Sequence, residues 1–293
     1  MALPRIPSDW PGAAASRGVR SGGIAWHVQE CGSGPTVMLI HGAGASTHTW
    51  RHIAPALALD FTVLAVDLPG QGFTTLPDPS AASLAGMTAA LVRLLADMGR
   101  VPAALVGHSA GAAIALNLAP ELPAPPRAIV AINPSLGSFE GIAGWLYPVA
   151  ARLLALNPLV PGAFARIFGT ERRVEGLIAS TGSRLDAGGL ALYRRLVADR
   201  THVAGTLAMM ARWTLGPLLD RLPAIAVPTL FILGEGDRAV PPAQAEAQAR
   251  RMPDATVVRM PGSGHLVHEE AAPAVLDVML PFLKAHAGRP PAG

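Results

Sequence analysis

Short apolar runs alternate with longer amphipathic stretches along much of the chain. Each run has the length of a strand and is almost unbroken, which is typical of strands buried on both faces of a parallel sheet. The runs lie at 37–40, 61–66, 103–106, 129–132, 229–233 and 256–260. Before them, Val19-Arg20 and residues 24–29 flank Ser21-Gly22-Gly23, a pattern that predicts a β-hairpin.

The stretches between the runs carry apolar residues at helical spacing. The clearest stripe consists of Leu84, Met87, Leu91, Leu94, Leu95 and Met98. It predicts a helix over 84–98, and further helices are expected at 109–118, 242–251 and 271–284. Strands that alternate with helices in this way predict an α/β fold with a mostly parallel central sheet.

This alternation stops after Asn133. Residues 134–222 contain no convincing strand and several helix-like stretches. The simplest interpretation is a helical cap inserted between two strands of the sheet. We therefore expect a core made of residues 1–133 and 223–293, with the cap at 134–222.

Composition narrows the class of protein. The chain has 293 residues, of which 51% are hydrophobic and 15% charged, so it can bury a sizeable core and is not intrinsically disordered. Cys31 is the single cysteine, so an intrachain disulfide is excluded. The net charge is +3 without a dense run of Lys and Arg, which argues against nucleic-acid binding.

The most apolar long stretch, 142–168, is interrupted by Arg152, Arg166 and three prolines, so it does not predict a membrane-spanning helix. Its early part is amphipathic. This pattern favours a helix packed on the body of the protein, with a lid over an apolar pocket or a membrane-touching surface as the alternative. The first twelve residues lack the apolar run of a signal peptide. A cytoplasmic location, with peripheral membrane contact left open, is the expectation.

The pentapeptide Gly107-His108-Ser109-Ala110-Gly111 follows a predicted buried strand and precedes a predicted helix. A serine in a G-x-S-x-G sequence at such a junction sits on a tight, strained turn with its hydroxyl exposed. A serine hydroxyl needs a base to remove its proton, and the base needs a carboxylate to orient it.

Candidate partners occur in the expected chain order. Asp237 follows the strand at 229–233, and His265 follows the strand at 256–260. Both would lie at the carboxyl edge of the sheet, on the side of Ser109. Glu235 on the same loop is the alternative acid, whereas His268 is expected at the start of the last helix.

Acyl transfer also requires hydrogen-bond donors for the oxyanion. The sequence His41-Gly42-Ala43-Gly44 follows an inner strand, and the amides of Ala43 and Ala110 are the natural pair. We expect His41 to brace its loop. The turn at 67–72 (DLPGQG) is expected to shape the pocket floor without doing chemistry.

Other candidates have simpler interpretations. Trp50, Phe73, Trp145 and Trp213 could line a substrate pocket, although large aromatic residues are mostly buried for area alone. His48, His52, His202, Met209 and Met210 could approach a tetrapyrrole, although each is better explained by packing or ordinary hydrogen bonds. No spacing resembles a metal site, so neither a metal nor a cofactor is predicted.

Taken together, the sequences HGAG at 41, DLPGQG at 67, GHSAG at 107, GEGD at 234 and GSGH at 262 resemble the α/β-hydrolase superfamily. This resemblance implies an α/β-hydrolase fold with a cap. Segments such as LLALNPLVP, TGSRLDAGGLALYRRLV and HVAGTLAMMARW are similar to the magnesium-chelatase accessory proteins of bacteriochlorophyll biosynthesis. Gln71 departs from the pattern, which usually has His there, and so does the proline-rich stretch 119–126.

Two functions therefore remain open. One is a serine hydrolase of a hydrophobic ester, lactone or similar acyl substrate, either within pigment synthesis or as a carboxylesterase unrelated to it. The other is a non-catalytic accessory protein that holds a porphyrin or contacts the magnesium chelatase, as the narrower resemblance implies. A halide-displacing hydrolase is disfavoured, because that chemistry uses a carboxylate nucleophile where this chain has Ser109.

Overall fold

The computed structural model describes residues 3, 5–137 and 159–288. Within these residues eight strands form one sheet, in the order β1-β2-β4-β3-β5-β6-β7-β8. The strands are β1 Ser16–Ser21, β2 Ile24–Gly32, β3 Thr36–Ile40, β4 Thr62–Val66, β5 Ala104–His108, β6 Ala128–Ile132, β7 Thr229–Gly234 and β8 Ala255–Met260. Strand β2 is antiparallel to β1 and to β4, and the pairs from β4 to β8 are parallel.

The six apolar runs predicted strands β3 to β8 to within two residues at either end. The predicted hairpin is also confirmed, since β1 and β2 pair around Gly22 and Gly23. Both glycines have positive φ, 57° and 79°, a conformation that residues with a side chain rarely adopt. The predicted α/β sheet is therefore the observed one.

Helices cover both faces of the sheet. The helices of the described residues are α1 Ala54–Leu57, α2 Leu84–Asp97, α3 Ala110–Leu118, α4 Val160–Phe168, α5 Glu171–Ser180, α6 Ala187–Ala198, α7 Arg200–Arg212, α8 Gly216–Arg221, α9 Pro242–Ala249, α10 Val267–Glu270 and α11 Ala272–His286. Ser83 caps the N-terminus of helix α2, since its hydroxyl accepts a hydrogen bond from the amide of Gly86. The four helices expected in the sheet-forming parts of the chain are all present.

Two apolar clusters hold the layers together. The first packs α2 and α3 against one face of the sheet and includes Met38, Leu91 and Ile114. The second packs α11 and the segment around α1 against the other face and includes Val37 and Met279. Because neighbouring residues of β3, Val37 and Met38, pack in opposite clusters, the strand is apolar from Val37 to Ile40.

Between β6 and β7 the described residues form the helices α4 to α8 and no strand. This is the part of the chain expected to be a helical cap, and the boundaries at 134 and 222 stay a prediction. The amphipathic segment at its beginning falls on residues 138–158, outside the described residues.

Candidate active site

Ser109 occupies a strained turn between β5 and α3. Its backbone has φ 54° and ψ −119°, a conformation with positive φ that is costly for any residue with a side chain. The two flanking glycines make the turn possible. A Cβ atom on Gly107 would lie 2.3 Å from the carbonyl oxygen of Gly111, and one on Gly111 would lie 2.1 Å from that of Ile40. Neither position can therefore carry a side chain without moving the backbone.

Asp237 and His265 form a buried pair on two neighbouring loops. The imidazole Nδ1 of His265 lies 2.7 Å from Oδ2 of Asp237. The other carboxylate oxygen accepts hydrogen bonds from the amides of Ala239 and Val240, each at 2.8 Å. Because the Asp237 carboxylate accepts the hydrogen bond, the proton of the neutral ring is on Nδ1. The other nitrogen, Nε2, then keeps a lone pair that can take a proton. Glu235, the alternative acid, is exposed and makes no such contact with His265 in the described residues.

The loop that carries His265 is held close to Ser109. The ring of His108 donates from Nε2 to the carbonyl oxygen of His265 at 2.8 Å, and the two rings lie 4.8 Å apart. No hydrogen bond joins the Ser109 hydroxyl to the His265 ring among the described residues. Such bonds are often formed only in the complex with substrate. The structure therefore brings the loops of Ser109, Asp237 and His265 to one edge of the sheet and pairs Asp237 with His265.

Asn133 connects the same loops and was missed in the sequence. Its side-chain amide donates to the carbonyl oxygens of Gly264 at 3.0 Å and His265 at 2.8 Å. Its side-chain oxygen accepts from the amide of Gly234 at 2.8 Å. The available signal was its position, since Asn133 is the first polar residue after the buried strand β6.

The predicted oxyanion donors flank the serine. Ala110 is the first residue of α3, and the loop of Ala43 lies against Ser109, since a Cβ atom on Gly42 would be 3.0 Å from that of Ser109. Neither amide has a hydrogen-bond acceptor within residues 5–137 or 159–288. Two amides at this position can bind a negatively charged oxygen.

His41 braces the loop from below. Its Nδ1 donates to the carbonyl oxygen of Gly42 at 2.7 Å, and its Nε2 accepts from the amide of Leu68 at 2.9 Å. Burial lowers the pKa of His41, so the ring is neutral at pH 7 and suits one donor and one acceptor. The ring therefore ties the Ala43 loop to the turn at 67–72.

Asp67 anchors that turn. Its carboxylate lies 2.7 Å from Nδ1 of His27 and accepts from the amides of Thr47 and Phe73 at 2.7 and 2.8 Å. Burial alone would raise the pKa of Asp67, but His27 and the other donors lower it to about 2. The carboxylate stays charged and serves as a structural centre.

The predicted pocket aromatics are distributed differently from the expectation. Trp50 is fully buried in the apolar cluster of α1 and α11, where its ring lies 5.0 Å from that of His268, so it follows the alternative of ordinary burial and does not line a pocket. A large ring gains more from burial than a rim position would provide. Phe73 packs edge-on against Trp10 and His27, and Trp213 packs partly buried against the core. Trp145 lies outside the described residues.

Three of the five residues considered as tetrapyrrole ligands make side-chain hydrogen bonds within the protein. Both ring nitrogens of His202 are used, by Gly72 and Gly44, and the sulfur of Met209 accepts from Gln71. His48 is fully buried, with Nδ1 bonded to Ser46 and Nε2 without a partner. His52 and Met210 are exposed. No group of three or more potential metal ligands is found within the described residues.

His268 lies in the short helix α10, one turn before the last helix. Its Nε2 lies 2.6 Å from the hydroxyl of Thr49, and its ring lies 4.3 Å from that of His108. Burial lowers its pKa to about 3, so the ring remains neutral beneath the site.

None of the described helices has the length and apolar character needed to cross a membrane.

Known proteins share this architecture. The sequence pattern of the alpha/beta hydrolase family matches residues 37–278. The magnesium-chelatase 30 kDa subunit of Rhodobacter capsulatus is 41% identical over 281 residues, which cover 95% of this chain and 98% of that protein. A 2-(acetamidomethylene)succinate hydrolase of Mesorhizobium japonicum is 31% identical and covers 92% and 95%. An alpha/beta hydrolase fold protein from Burkholderia ambifaria superimposes with a TM-score of 0.74 at 25% identity, over 90% of this chain and 97% of that one. The chain belongs to the α/β-hydrolase family.

Proposed function

We propose that this chain is a serine hydrolase acting on a hydrophobic ester or a similar acyl substrate, with Ser109 as the nucleophile, His265 as the base and Asp237 as the orienting acid. The observation that carries the proposal is the positive φ of 54° at Ser109. A non-glycine residue rarely occupies such a conformation unless its surroundings enforce it, and enforced strain clusters at functional sites. The paired acid and base on the adjoining loops support the same reading.

The reaction would proceed in two balanced stages. In the first stage Ser109 Oγ bonds to the acyl carbon while its proton passes to Nε2 of His265. The substrate carbonyl oxygen becomes an oxyanion at the amides of Ala43 and Ala110. The bond to the leaving oxygen then breaks, and that oxygen takes the proton from the imidazolium.

In the second stage water attacks the acyl-enzyme. His265 removes a proton from the water and returns it to Ser109 Oγ as the acid product leaves. Asp237 keeps the imidazole in the required tautomer through the 2.7 Å bond to Nδ1 and stabilises the imidazolium. Since two backbone amides fix the carboxylate, the acid does not need to move during either stage.

A series of p-nitrophenyl esters of increasing acyl length tests this function. We expect the turnover of the wild type to rise with acyl length. In Ser109→Gly and in Asp237→Asn, turnover should fall by at least about 10³-fold. Glycine is the better replacement at 109, because it adopts positive φ without strain and so preserves the fold. Turnover in the Ser109→Gly variant equal to that of the wild type would contradict the proposal.

A second function is favoured by one comparison. The identity of 41% to the magnesium-chelatase 30 kDa subunit extends over almost the whole of that protein. This supports a role beside magnesium insertion, in which the chain holds a porphyrin or contacts the chelatase. Absorbance titration with protoporphyrin IX tests direct binding. A saturable shift at micromolar protein that survives in Ser109→Gly would favour the accessory role, and no shift would remove porphyrin binding.

A further inference from the structure

One face of helix α7 (Arg200–Arg212) rests on the loops beside Ser109. His202, Gly205, Thr206 and Met209 occupy positions i, i+3, i+4 and i+7, so they share a side of the helix. Their contacts in the core are Gly44, next to the oxyanion candidate Ala43, and the turn at 70–72. A helix of the predicted cap therefore lies directly on the segment that would bind the oxyanion.

His202 bridges two core loops. Its Nδ1 accepts a hydrogen bond from the amide of Gly72 at 2.9 Å, so its proton is on Nε2, which lies 3.2 Å from the carbonyl oxygen of Gly44. The ring is buried, and burial lowers its pKa to about 4, which keeps it neutral at pH 7. Only the neutral ring can accept at one nitrogen and donate at the other.

Gln71 holds the other side of Gly44. Its side-chain oxygen accepts from the amide of Gly44 at 2.7 Å, and its side-chain nitrogen donates to the sulfur of Met209 at 3.1 Å. Gly44 has φ 77°. Glycine tolerates this conformation but also many others, so contacts with other residues must hold it there. Its amide is thus fixed through Gln71 and Met209, and its carbonyl through His202.

The helix also approaches the turn too closely for a side chain. A Cβ atom on Gly205 would lie 1.9 Å from the carbonyl oxygen of Gly70. This contact sets the distance between helix and turn, and so places His202 and Met209 within reach of their partners.

We propose that α7 positions the oxyanion loop, with His202, Met209 and Gln71 acting as positioning residues that hold Gly44 and thereby aim the amide of Ala43 at the reacting carbonyl. This inference rests on the proposed hydrolase function, because it takes Ala43 as an oxyanion donor. A consequence is that the reactivity of Ser109 depends on α7 lying against the core. A substrate that lifts α7 from the core would release both polar groups of Gly44.

Two substitutions at position 202 separate the bonds. The nitrogen of a glutamine side chain can replace Nε2 of histidine, so His202→Gln keeps the donor to Gly44. The oxygen of asparagine can replace Nδ1, so His202→Asn keeps the acceptor for Gly72 and loses the bond to Gly44. Gln71→Leu removes the bond to the Gly44 amide at similar volume. Met210→Leu, on the exposed side of α7, is the matched control.

Hydrogen exchange of peptides spanning 41–46 is measured first. We expect exchange in His202→Asn and Gln71→Leu at least about tenfold faster than in His202→Gln, Met210→Leu and the wild type. Ester turnover is measured next. One misplaced oxyanion donor typically costs about 10²–10³-fold in kcat. We therefore expect kcat to fall by at least about tenfold in His202→Asn and Gln71→Leu, with KM within about twofold.

The two readouts distinguish failure of this inference from failure of the hydrolase function. If the wild type turns over no ester, the hydrolase function fails, and the oxyanion role of this loop fails with it. The exchange rates then still report whether α7 holds Gly44. If the wild type is active but His202→Asn matches His202→Gln in both exchange and kcat, the inference is overturned while the hydrolase function stands.

Discussion

The side-chain amide of Asn133 donates a hydrogen bond to the carbonyl oxygen of His265 at 2.8 Å. Through its other contacts, to Gly264 and Gly234, this one side chain ties the end of β7, which leads to Asp237, to the loop that carries His265. The loops that carry Asp237 and His265 are therefore joined by a third residue at the end of the neighbouring strand β6.

The first prediction concerns Asn133. Asn133→Asp would place a second oxygen against the carbonyls of Gly264 and His265, whereas Asn133→Gly removes the side chain and tolerates the local φ of 41°. Since an unsatisfied buried polar group costs about 1–3 kcal/mol, we expect both variants to unfold at lower urea concentration. Asn133→Asp should be the less stable of the two at pH 7. The reverse order in urea titrations would contradict this role.

The second prediction compares two glycines. Gly111→Ala would place a Cβ atom 2.1 Å from the carbonyl oxygen of Ile40, whereas a Cβ atom on Gly176, within α5, meets nothing within 4 Å. Alanine favours a helix over glycine by about 1 kcal/mol. We therefore expect Gly176→Ala to raise the thermal midpoint by a few degrees and Gly111→Ala to lower it strongly. Equal midpoints in calorimetry would show that a Cβ atom on Gly111 fits beside the carbonyl oxygen of Ile40, which would contradict the crowding at this turn.

The third prediction concerns the dependence of stability on pH. Burial lowers the pKa of five histidines, to about 4 for His202 and about 3 for His268; the others are His41, His48 and His108. In the unfolded chain these groups titrate near 6.5. As the pH falls below that value the unfolded state binds protons that the folded state does not, so the free energy of unfolding decreases.

His202 supplies a direct measurement of this effect. Its shift corresponds to a loss of about 1 kcal/mol between pH 7.5 and pH 5.5. We expect urea titrations to show wild-type stability falling over that interval, and His202→Gln to show a shallower fall. An identical slope in the two proteins would mean that His202 is not buried as a neutral ring.

The fourth prediction concerns a contact between helix α6 (Ala187–Ala198) and the core. The hydroxyl of Tyr193 donates to the buried carboxylate of Glu269 at 2.7 Å, and Thr49 donates to the same oxygen at 2.6 Å. Arg51 forms an ion pair with the other oxygen. Burial raises the pKa of Glu269 despite these partners. Removing one donor therefore leaves a buried carboxylate with too few hydrogen bonds, which lowers the stability of the folded state.

We expect Tyr193→Phe to lower the free energy of unfolding by about 1–3 kcal/mol and Thr49→Val to do the same. Because the two donors share one acceptor oxygen, the double variant should not show the sum of the two losses. Strict additivity in urea titrations would indicate that the carboxylate network does not act as a unit.

Much of the fold could be predicted because burial leaves a direct trace in the sequence. Strands β3 to β7 are apolar on both faces, and the stripe from Leu84 to Leu95 marks the buried side of α2. The turn at Ser109 was also accessible, since only glycine fits at 107 and 111.

Contacts between polar side chains were less accessible. The sequence does not show that Asn133 meets the His265 loop, 132 positions away, or that His202 and Met209 reach Gly44 and Gln71. The first pair depends on how two loops of the core meet, and the other two depend on how the predicted cap sits on the sheet. Apolar periodicity shows which face of a helix is buried but not what it is buried against. The position of Trp50 was ambiguous for the same reason, because an aromatic residue that follows the loop at 41–44 can face either a pocket or the core.

Labelling with a fluorophosphonate probe tests whether Ser109 is a nucleophile, because the probe reacts fastest with a serine whose proton is removed by a neighbouring base. We expect one equivalent of adduct per folded wild-type chain, located at Ser109 by peptide mass spectrometry. We expect no adduct in Ser109→Gly and slow labelling in His265→Gln. Folded wild-type protein that stays unlabelled, or that carries the adduct at another residue, would contradict the assignment of Ser109 as the nucleophile.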